Sequence, residues 1–339
     1  MTTPLKIAIV NPGDIFAKEL ISIIEERDFP VSSLEILSPP GTEGRIIQTK
    51  NENKLVTPIF ENSLLDIDLA FFILKKEETE SLISINRNSR TFIIDVNGSL
   101  NSNTDIPLAI PEINTEMIKE NRSRIVSVPK SISIQLSTIL YPIHQQYGIK
   151  RVIVSTYQSI SNKGEEAIDQ LARQTISLLN FDSTDQEDIQ PRMAFNCHID
   201  SENIDQDGYS EQENTIANQT RKLLDQKDLN ITINTVTVPV FHCDSLSLNI
   251  ETVKKIPKTQ LKKLFCNEDC IISEYGDYAA NFPTPNMAAN KDEIFVGRIR
   301  EDKSTTNGIN MWCVMDNLRK GSALTALRIA EKLIDLDII

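Results

Sequence analysis

The sequence predicts an α/β protein with two parts, a doubly wound parallel sheet followed by a mixed α+β region. Three observations lead to this prediction. Short apolar runs near the start of the chain alternate with helical patterns, as in sheets whose parallel strands are joined by helices. A mixture of helical and extended segments follows from residue 131 onward. With 339 residues, the chain is long enough to bury two cores.

The first part opens with the apolar run Leu5–Val10, which predicts a buried parallel strand. A polar turn at residues 11–14 leads into a helix from Ile15 to about Glu26, where apolar residues recur at helical spacing. Further strands are predicted at residues 34–37, 69–74 and 91–95. This alternation of strand and helix indicates a doubly wound sheet.

The second part begins with a helical pattern over residues 132–146 and a strand at 151–156. A long amphipathic helix, about residues 164–179, is followed by an acidic stretch at 182–188 that we expect to be mobile. Extended segments are predicted near residues 193–196 and 231–240, and a last helix over 322–336 is expected to pack on the first part. We therefore expect a first domain of residues 1–130, completed by residues 321–339, and a second domain of residues 131–320.

Composition limits the classes of partner. The formal net charge of −13 repels nucleic acid and anionic membranes, so we expect neither as a partner. The chain has no apolar run of 18 residues, and its N-terminus lacks the pattern of a signal peptide. Its five cysteines are scattered without a CxxC pair, which predicts free thiols in a reducing cytoplasm and no metal site.

Five segments resemble the aspartate-semialdehyde dehydrogenase family, in the family's order and over nearly the whole chain. They are RVIVSTYQ at 151–158, VPVF at 238–241, FPTP at 282–285, FVGRIR at 295–300 and DNLRKG at 316–321. The resemblance implies a Rossmann-like N-terminal domain, a C-terminal dimerisation domain and a homodimer. It also implies an enzyme of amino-acid biosynthesis, in which a cysteine attacks the semialdehyde, NADP accepts hydride and phosphate resolves the thioester.

The family's glycine-rich cofactor turn falls at residues 10–17, where Asn11, Asp14 and Ala17 replace three glycines. Those glycines form the tight turn and let the backbone approach pyrophosphate. Asp14 would also repel that group, since like charges at about 4 Å cost roughly 4 kcal/mol at an effective dielectric near 20. We therefore expect no bound cofactor, although the resemblance by itself implies NADP.

The family's catalytic positions are also changed. Ser131 stands at the position of the nucleophilic cysteine and Asp244 at that of the histidine base, and of this set only Gln158 is retained. A serine hydroxyl is un-ionised at neutral pH and needs a positioned base before it can attack. We interpret Ser131 as a helix N-cap and Asp244 as an ordinary aspartate with a pKa near 4, which makes it a poor base.

The positions that would bind the substrate are degenerate as well. Thr237 replaces the arginine that would hold the substrate carboxylate, and Asn101 replaces a second arginine. Gln212 and Thr215 stand at the positions of a glutamate–lysine pair. None of these four positions keeps the residue that the resemblance implies for substrate binding.

These replacements predict a catalytically inactive homodimer with a binding or regulatory role, similar to the Usg-type paralogues of the family. Its further partner, whether protein or small molecule, is unknown. An enzyme of altered chemistry is the first alternative, because His242 and Asp244 share a face in an extended chain and could serve Ser131 in a hydrolase-like triad. A residual NAD(P)-dependent oxidoreductase of the aspartate-semialdehyde type is the second alternative.

Overall fold

The computed structural model describes residues 4–50, 52–86, 89–120, 123–180, 192–266, 271–272 and 282–339. The chain folds into two compact units. The first comprises Met1–Lys130 with Gly321–Ile339, and the second comprises Ser131–Lys320. The acidic stretch at residues 182–188 lies outside the described residues. Within the described ranges, no helix is long and apolar enough to cross a membrane.

The regular elements before residue 131 are β1 (Leu5–Val10), α1 (Ile15–Glu26), β2 (Val31–Ser38), β3 (Ile46–Gln48), β4 (Asn53–Leu55), β5 (Thr57–Pro58), β6 (Leu69–Phe72), α2 (Lys76–Ile85), β7 (Phe92–Asp95), α3 (Pro111–Lys119) and β8 (Ile125–Ser127). Those that follow are α4 (Ser131–Tyr147), β9 (Ile149–Tyr157), α5 (Glu165–Leu179), β10 (His198–Ile199), α6 (Glu211–Leu223), β11 (Asn230–Asn234), β12 (Val236–Thr237), β13 (Asp244–Thr252), α7 (Lys258–Cys266), β14 (Ile271–Ile272), α8 (Pro285–Ala288), β15 (Ile294–Asp302), β16 (Gly308–Met315) and α9 (Leu324–Asp335). A 3-10 turn, Ile160–Lys163, follows β9, and a π-helical turn, Arg319–Ala323, precedes α9.

The first unit is built on a parallel sheet in the order β5-β2-β1-β6-β7-β8. Successive residues of a strand face opposite sides of the sheet. Ala8 and Val10 of β1 share an apolar cluster with Leu82 of α2, while α9 packs against α1 and α3. The predicted doubly wound sheet is therefore confirmed.

Ion pairs fasten α9 to the rest of the first unit. Arg27, which follows α1, pairs with Glu331 at 2.9 Å, and Arg328 pairs with Glu112 of α3. The last helix is grouped with the first unit, as its apolar spacing led us to expect.

The second unit contains a mixed sheet in the order β11-β9-β13-β16-β15-β14, and β10 and β12 form a small antiparallel ribbon. The pairs β11–β9 and β14–β15 are parallel, and the other neighbours are antiparallel. Helices α4, α6 and α7 cover one face of this sheet and complete its apolar core. The mixed α+β architecture predicted for this part is confirmed.

Two predicted segments differ from the structure. Residues 193–196 form a turn rather than a strand, because the N–H groups of Met193 and Ala194 donate to the Gln174 side chain. The predicted strand at 231–240 is divided into β11 and β12, because the N–H of Thr235 donates to Glu213 of α6 at 2.9 Å. In both places a side chain distant in sequence accepts the hydrogen bond from a backbone N–H. In a continuous strand, that N–H would donate to a neighbouring strand instead.

Candidate functional site

Ser131 is the first residue of α4 and lies half-buried. Its hydroxyl donates a hydrogen bond to Oδ2 of Asp244, with 3.3 Å between the oxygens. The interpretation of Ser131 as an N-cap is therefore wrong, because Ser131 is already the first residue of α4 and an N-cap residue precedes the helix. The two residues that replace the nucleophile and base positions lie in direct contact.

Asp244 begins β13 and is fully buried. Its Oδ1 accepts from the N–H of Ser159 at 2.9 Å, from the Ser159 hydroxyl at 3.2 Å and from the Asn162 amide at 2.7 Å. Burial disfavours the charged form and raises the pKa of Asp244 to about 6, although the bonds from Ser159, Asn162 and Ser131 act in the opposite direction. The expectation of an ordinary aspartate with a pKa near 4 is wrong, because the carboxylate is completely buried away from water.

Asn317 extends this network to the end of β16. Its Oδ1 accepts from the N–H of Cys243 at 3.0 Å, and its amide nitrogen donates to the Ser161 hydroxyl at 2.9 Å. Ser159, Asn162 and Asn317 were not predicted as site residues. A signal for Ser159 was available, since it directly follows the retained Gln158 at the end of a strand, and Asn162 lies four residues after Gln158.

Cys243, the residue before Asp244, has a φ of +74°, in the left-handed region that favours glycine. Its side chain is buried against Ala288, Phe295 and Val314. Burial, with smaller effects from the carboxylates of Asp316 and Asp244, raises the pKa of the Cys243 thiol. The thiol is therefore held in its neutral, unreactive form.

His242 does not complete a Ser–His–Asp triad among the described residues. Its Nδ1 is buried and has no hydrogen-bond partner among the residues that the structure describes. Asp244 contacts Ser131 directly, whereas a triad requires the histidine to lie between the serine and the carboxylate. The geometry therefore does not support His242 as the base for Ser131.

Gln158, Gln212 and Thr237 lie together in the second unit. The Gln212 amide donates to Oε1 of Gln158 at 3.1 Å, and the Gln158 amide donates to the Thr156 hydroxyl at 3.3 Å. Thr237, in β12, forms a backbone bridge with Gln158. Thr215 lies on α6 one turn after Gln212 and is partly exposed. The bonded pair of Gln158 and Gln212 carries no charge.

In the first unit, the Asn101 side chain bonds to residues at the end of β8. Its Oδ1 accepts from the Ser127 hydroxyl at 2.6 Å, and its amide donates to the Val128 carbonyl at 3.4 Å. The amide also lies over Gly98, where an added Cβ would approach Asn101 Nδ2 to 2.3 Å. Asn101 therefore joins its own turn at Gly98 to the end of β8.

The β1–α1 turn and the first residues of α1 carry Asn11, Asp14 and Ala17 in place of the three expected glycines. Asn11 adopts a φ of +71°, and its side-chain amide donates to the Ile73 carbonyl at 2.8 Å. Asp14 is the N-cap of α1, and its Oδ1 accepts from the N–H of Phe16 at 2.9 Å. Ala17 is fully buried in the helix. A carboxylate of the chain itself thus lies at the end of α1 where the family would bind pyrophosphate.

Comparison with known proteins assigns both units to one class. The family model of the semialdehyde dehydrogenase NAD binding domain matches residues 6–121, and that of the semialdehyde dehydrogenase dimerisation domain matches residues 140–320. Together with the parallel and mixed sheets, these matches define a semialdehyde dehydrogenase-type protein of two units.

Individual relatives narrow this class. The chain is 33% identical to aspartate-semialdehyde dehydrogenase of Aquifex aeolicus, with 97% of this chain and 98% of that protein covered. It is 32% identical to the enzyme named likewise in Rickettsia bellii, with 98% and 99% covered. A crystal structure of aspartate semialdehyde dehydrogenase II from Vibrio cholerae superposes with a TM-score of 0.93 at 31% identity, covering 98% of this chain and 99% of that one. The chain belongs to the aspartate-semialdehyde dehydrogenase family.

Proposed function

We propose that this chain is a catalytically inactive, homodimeric member of the family with a binding or regulatory role, comparable to the Usg-type paralogues. One observation carries the proposal. The carboxylate at the position of the base is fully buried and bonded to Ser131, Ser159 and Asn162. The Asp244 carboxylate thus links the start of α4 and the segment after β9 to its own strand. It stands in place of the imidazole that would activate a thiol.

The substrate positions support the same proposal. Binding of a carboxylate usually relies on arginine, whose planar guanidinium forms two parallel hydrogen bonds. Thr237 and Asn101 stand at the two arginine positions, and Asn101 bonds to Ser127 and Val128. Gln212 bonds to Gln158. The side chains of Asn101 and Gln212 therefore form hydrogen bonds with neighbouring residues of the protein.

The cofactor turn supports the absence of a bound dinucleotide. A helix N-terminus attracts phosphate because its first N–H groups lack partners. Asp14 satisfies one of these groups and adds negative charge at the same end of α1. The residues of this turn do not fit a pyrophosphate, so we assign NADP no role in the function.

A homodimer is proposed because residues 140–320 match the family's dimerisation domain. The sheet face away from α4, α6 and α7 carries Tyr157 and Trp312, whose rings lie 5.4 Å apart. Aromatic residues are enriched in the centres of protein interfaces. This face is our candidate for the contact between the two copies.

A residual NAD(P)-dependent oxidoreductase of the aspartate-semialdehyde type is the second candidate function. It is favoured by the match to the NAD binding domain and by relatives that are named aspartate-semialdehyde dehydrogenases. It requires Ser131 or another group to replace the thiol, and it requires NADP to displace the Asp14 cap.

Calorimetry with NADP and NAD tests the proposal, together with an assay of NADPH formation from the semialdehyde and phosphate. We expect affinities no tighter than the millimolar range and no turnover. Micromolar binding together with turnover would establish the oxidoreductase instead. Labelling by a fluorophosphonate that disappears in Ser131→Ala would favour a hydrolase, a result that the position of His242 does not lead us to expect.

A further inference from the structure

Helix α4 carries buried polar atoms that have no hydrogen-bond partner among the described residues. They include both amide atoms of Gln135 and Oγ1 of Thr138. Gln135 is completely buried, and Thr138 is 4% exposed. An unpaired buried polar group lowers the folding equilibrium constant by roughly 5- to 150-fold, so native proteins nearly always bond such groups to protein or to ordered water.

The helical period places Gln135 and Thr138 on one flank of α4. Residues three or four apart are neighbours on a helix surface, so Ser131, Gln135, Thr138 and Pro142 follow one another along this flank. The adjacent face is apolar and packs on the sheet through residues that include Leu136 and Ile143. The flank is therefore a polar stripe beside the core, and it begins at Ser131.

Pro142 adds a further acceptor to the same stripe. A proline inside a helix has no N–H to donate to the carbonyl four residues earlier, which here is that of Thr138. Thr138 thus presents a backbone carbonyl without its helical donor, next to a hydroxyl that has no partner in the described part of the chain. One turn earlier, the amide of Gln135 offers both a donor and an acceptor.

We propose that this flank is an internal water site, in which an ordered water joins the Gln135 amide to the Thr138 carbonyl. A water can accept from Nε2 of Gln135 and donate to the carbonyl at once, and buried waters typically have two to four such partners. The stripe has no charged side chain, which disfavours an ion. Gln135, Thr138 and Pro142, which follow Ser131 along this stripe, are all buried. This inference does not depend on the proposed function.

A double-mutant cycle tests the site. Gln135→Met keeps the side-chain length and removes both polar atoms, and Pro142→Ala restores the N–H that the Thr138 carbonyl lacks. The two positions are seven residues apart, about 10 Å along the axis, so without a shared partner their effects on the folding equilibrium constant should multiply. We expect Gln135→Met to lower this constant about fivefold or more, and by clearly less in the Pro142→Ala background.

The matched control is Ser137→Ala, which changes another buried hydroxyl on the opposite flank of α4. Its effect should multiply with that of Pro142→Ala. Independent effects of Gln135→Met and Pro142→Ala, or a Gln135→Met protein more stable than the parent, would overturn the proposal. If Pro142→Ala does not fold, a crystal structure of the parent protein at about 1.5 Å decides, because water density between Gln135 and Thr138 supports the site and its absence refutes it.

Discussion

At the scale of single residues, the buried carboxylate of Asp244 should make stability depend on pH. Its folded-state pKa of about 6 lies above the value near 3.9 expected in the unfolded chain. The native state therefore binds this proton more tightly between those pH values, and the stability that protonation provides is lost as pH rises from about 4 to 6. A shift of about two units corresponds to about 3 kcal/mol.

Asp244→Asn should remove most of this dependence. The amide oxygen can keep the bonds from Ser159 and Asn162, and its nitrogen can donate to the Ser131 hydroxyl. Urea denaturation at pH 4.5 and 7.5 would then show a smaller loss of unfolding free energy than in the parent protein. Asp66→Asn, at an exposed position, is the control and should leave the difference unchanged. An equal loss in Asp244→Asn and the parent would show that Asp244 titrates normally.

Ser131→Cys should not restore dehydrogenase activity. The new thiol would contact a carboxylate, which opposes formation of a thiolate, and it would lack the histidine base. General base catalysis alone contributes typically about 10²–10⁴-fold. Turnover of the semialdehyde, followed as NADPH formation at high protein concentration, should stay at background.

The control for Ser131→Cys is Ser131→Ala, which lacks any nucleophile at this position. Asp244→His added to the cysteine variant should also remain inactive while Asp14 caps α1. Robust turnover by Ser131→Cys alone would mean that the cofactor and substrate positions work in spite of their changed residues.

At the scale of elements, the β1–α1 turn depends on Asn11 for its backbone shape. Asn11 has a φ of +71°, a conformation that asparagine and glycine tolerate better than alanine. Asn11→Ala should therefore be less stable than Asn11→Gly by about 1 kcal/mol, because both lose the bond to Ile73 and only alanine is strained. Chemical denaturation of the pair measures this difference, and equal stabilities would contradict the assigned conformation.

The elements also show what the sequence could predict. The bounds of β1 and α1 follow from local apolar spacing and agree with the structure. The turn at residues 193–196 and the break at Thr235 could not be predicted, since each depends on a side chain about 20 residues away.

The same limit applies to the candidate site. Resemblance identified Ser131 and Asp244, yet their contact spans 113 positions. The burial that raises the pKa of Asp244 comes from the folded unit as a whole, so no local pattern of residues could reveal it.

At the scale of the whole molecule, we expect a dimer in solution. Light scattering at micromolar concentration should give twice the mass of one chain. Trp312→Glu should shift the mass toward that of a single chain, because it would place a charge on the proposed contact face, and charged residues are depleted at interface centres. Glu293→Gln, a substitution outside the sheet's strands, is the control. A parent protein with the mass of one chain would refute the homodimer.

The position of α9 in the chain has a consequence for protein synthesis. The first unit is complete only when this helix, with its buried Leu324, Leu327 and Leu333, has packed against α1 and α3. A ribosome that adds about 5–20 residues per second needs roughly 10–40 s for residues 131–320. During that interval the nascent first unit exposes the apolar surface that α9 will cover, whereas the second unit is continuous in sequence. The second unit can therefore complete its folding before the first unit does. A chaperone that acts during synthesis would bind the first unit, because the apolar surface that α9 will cover is still exposed there.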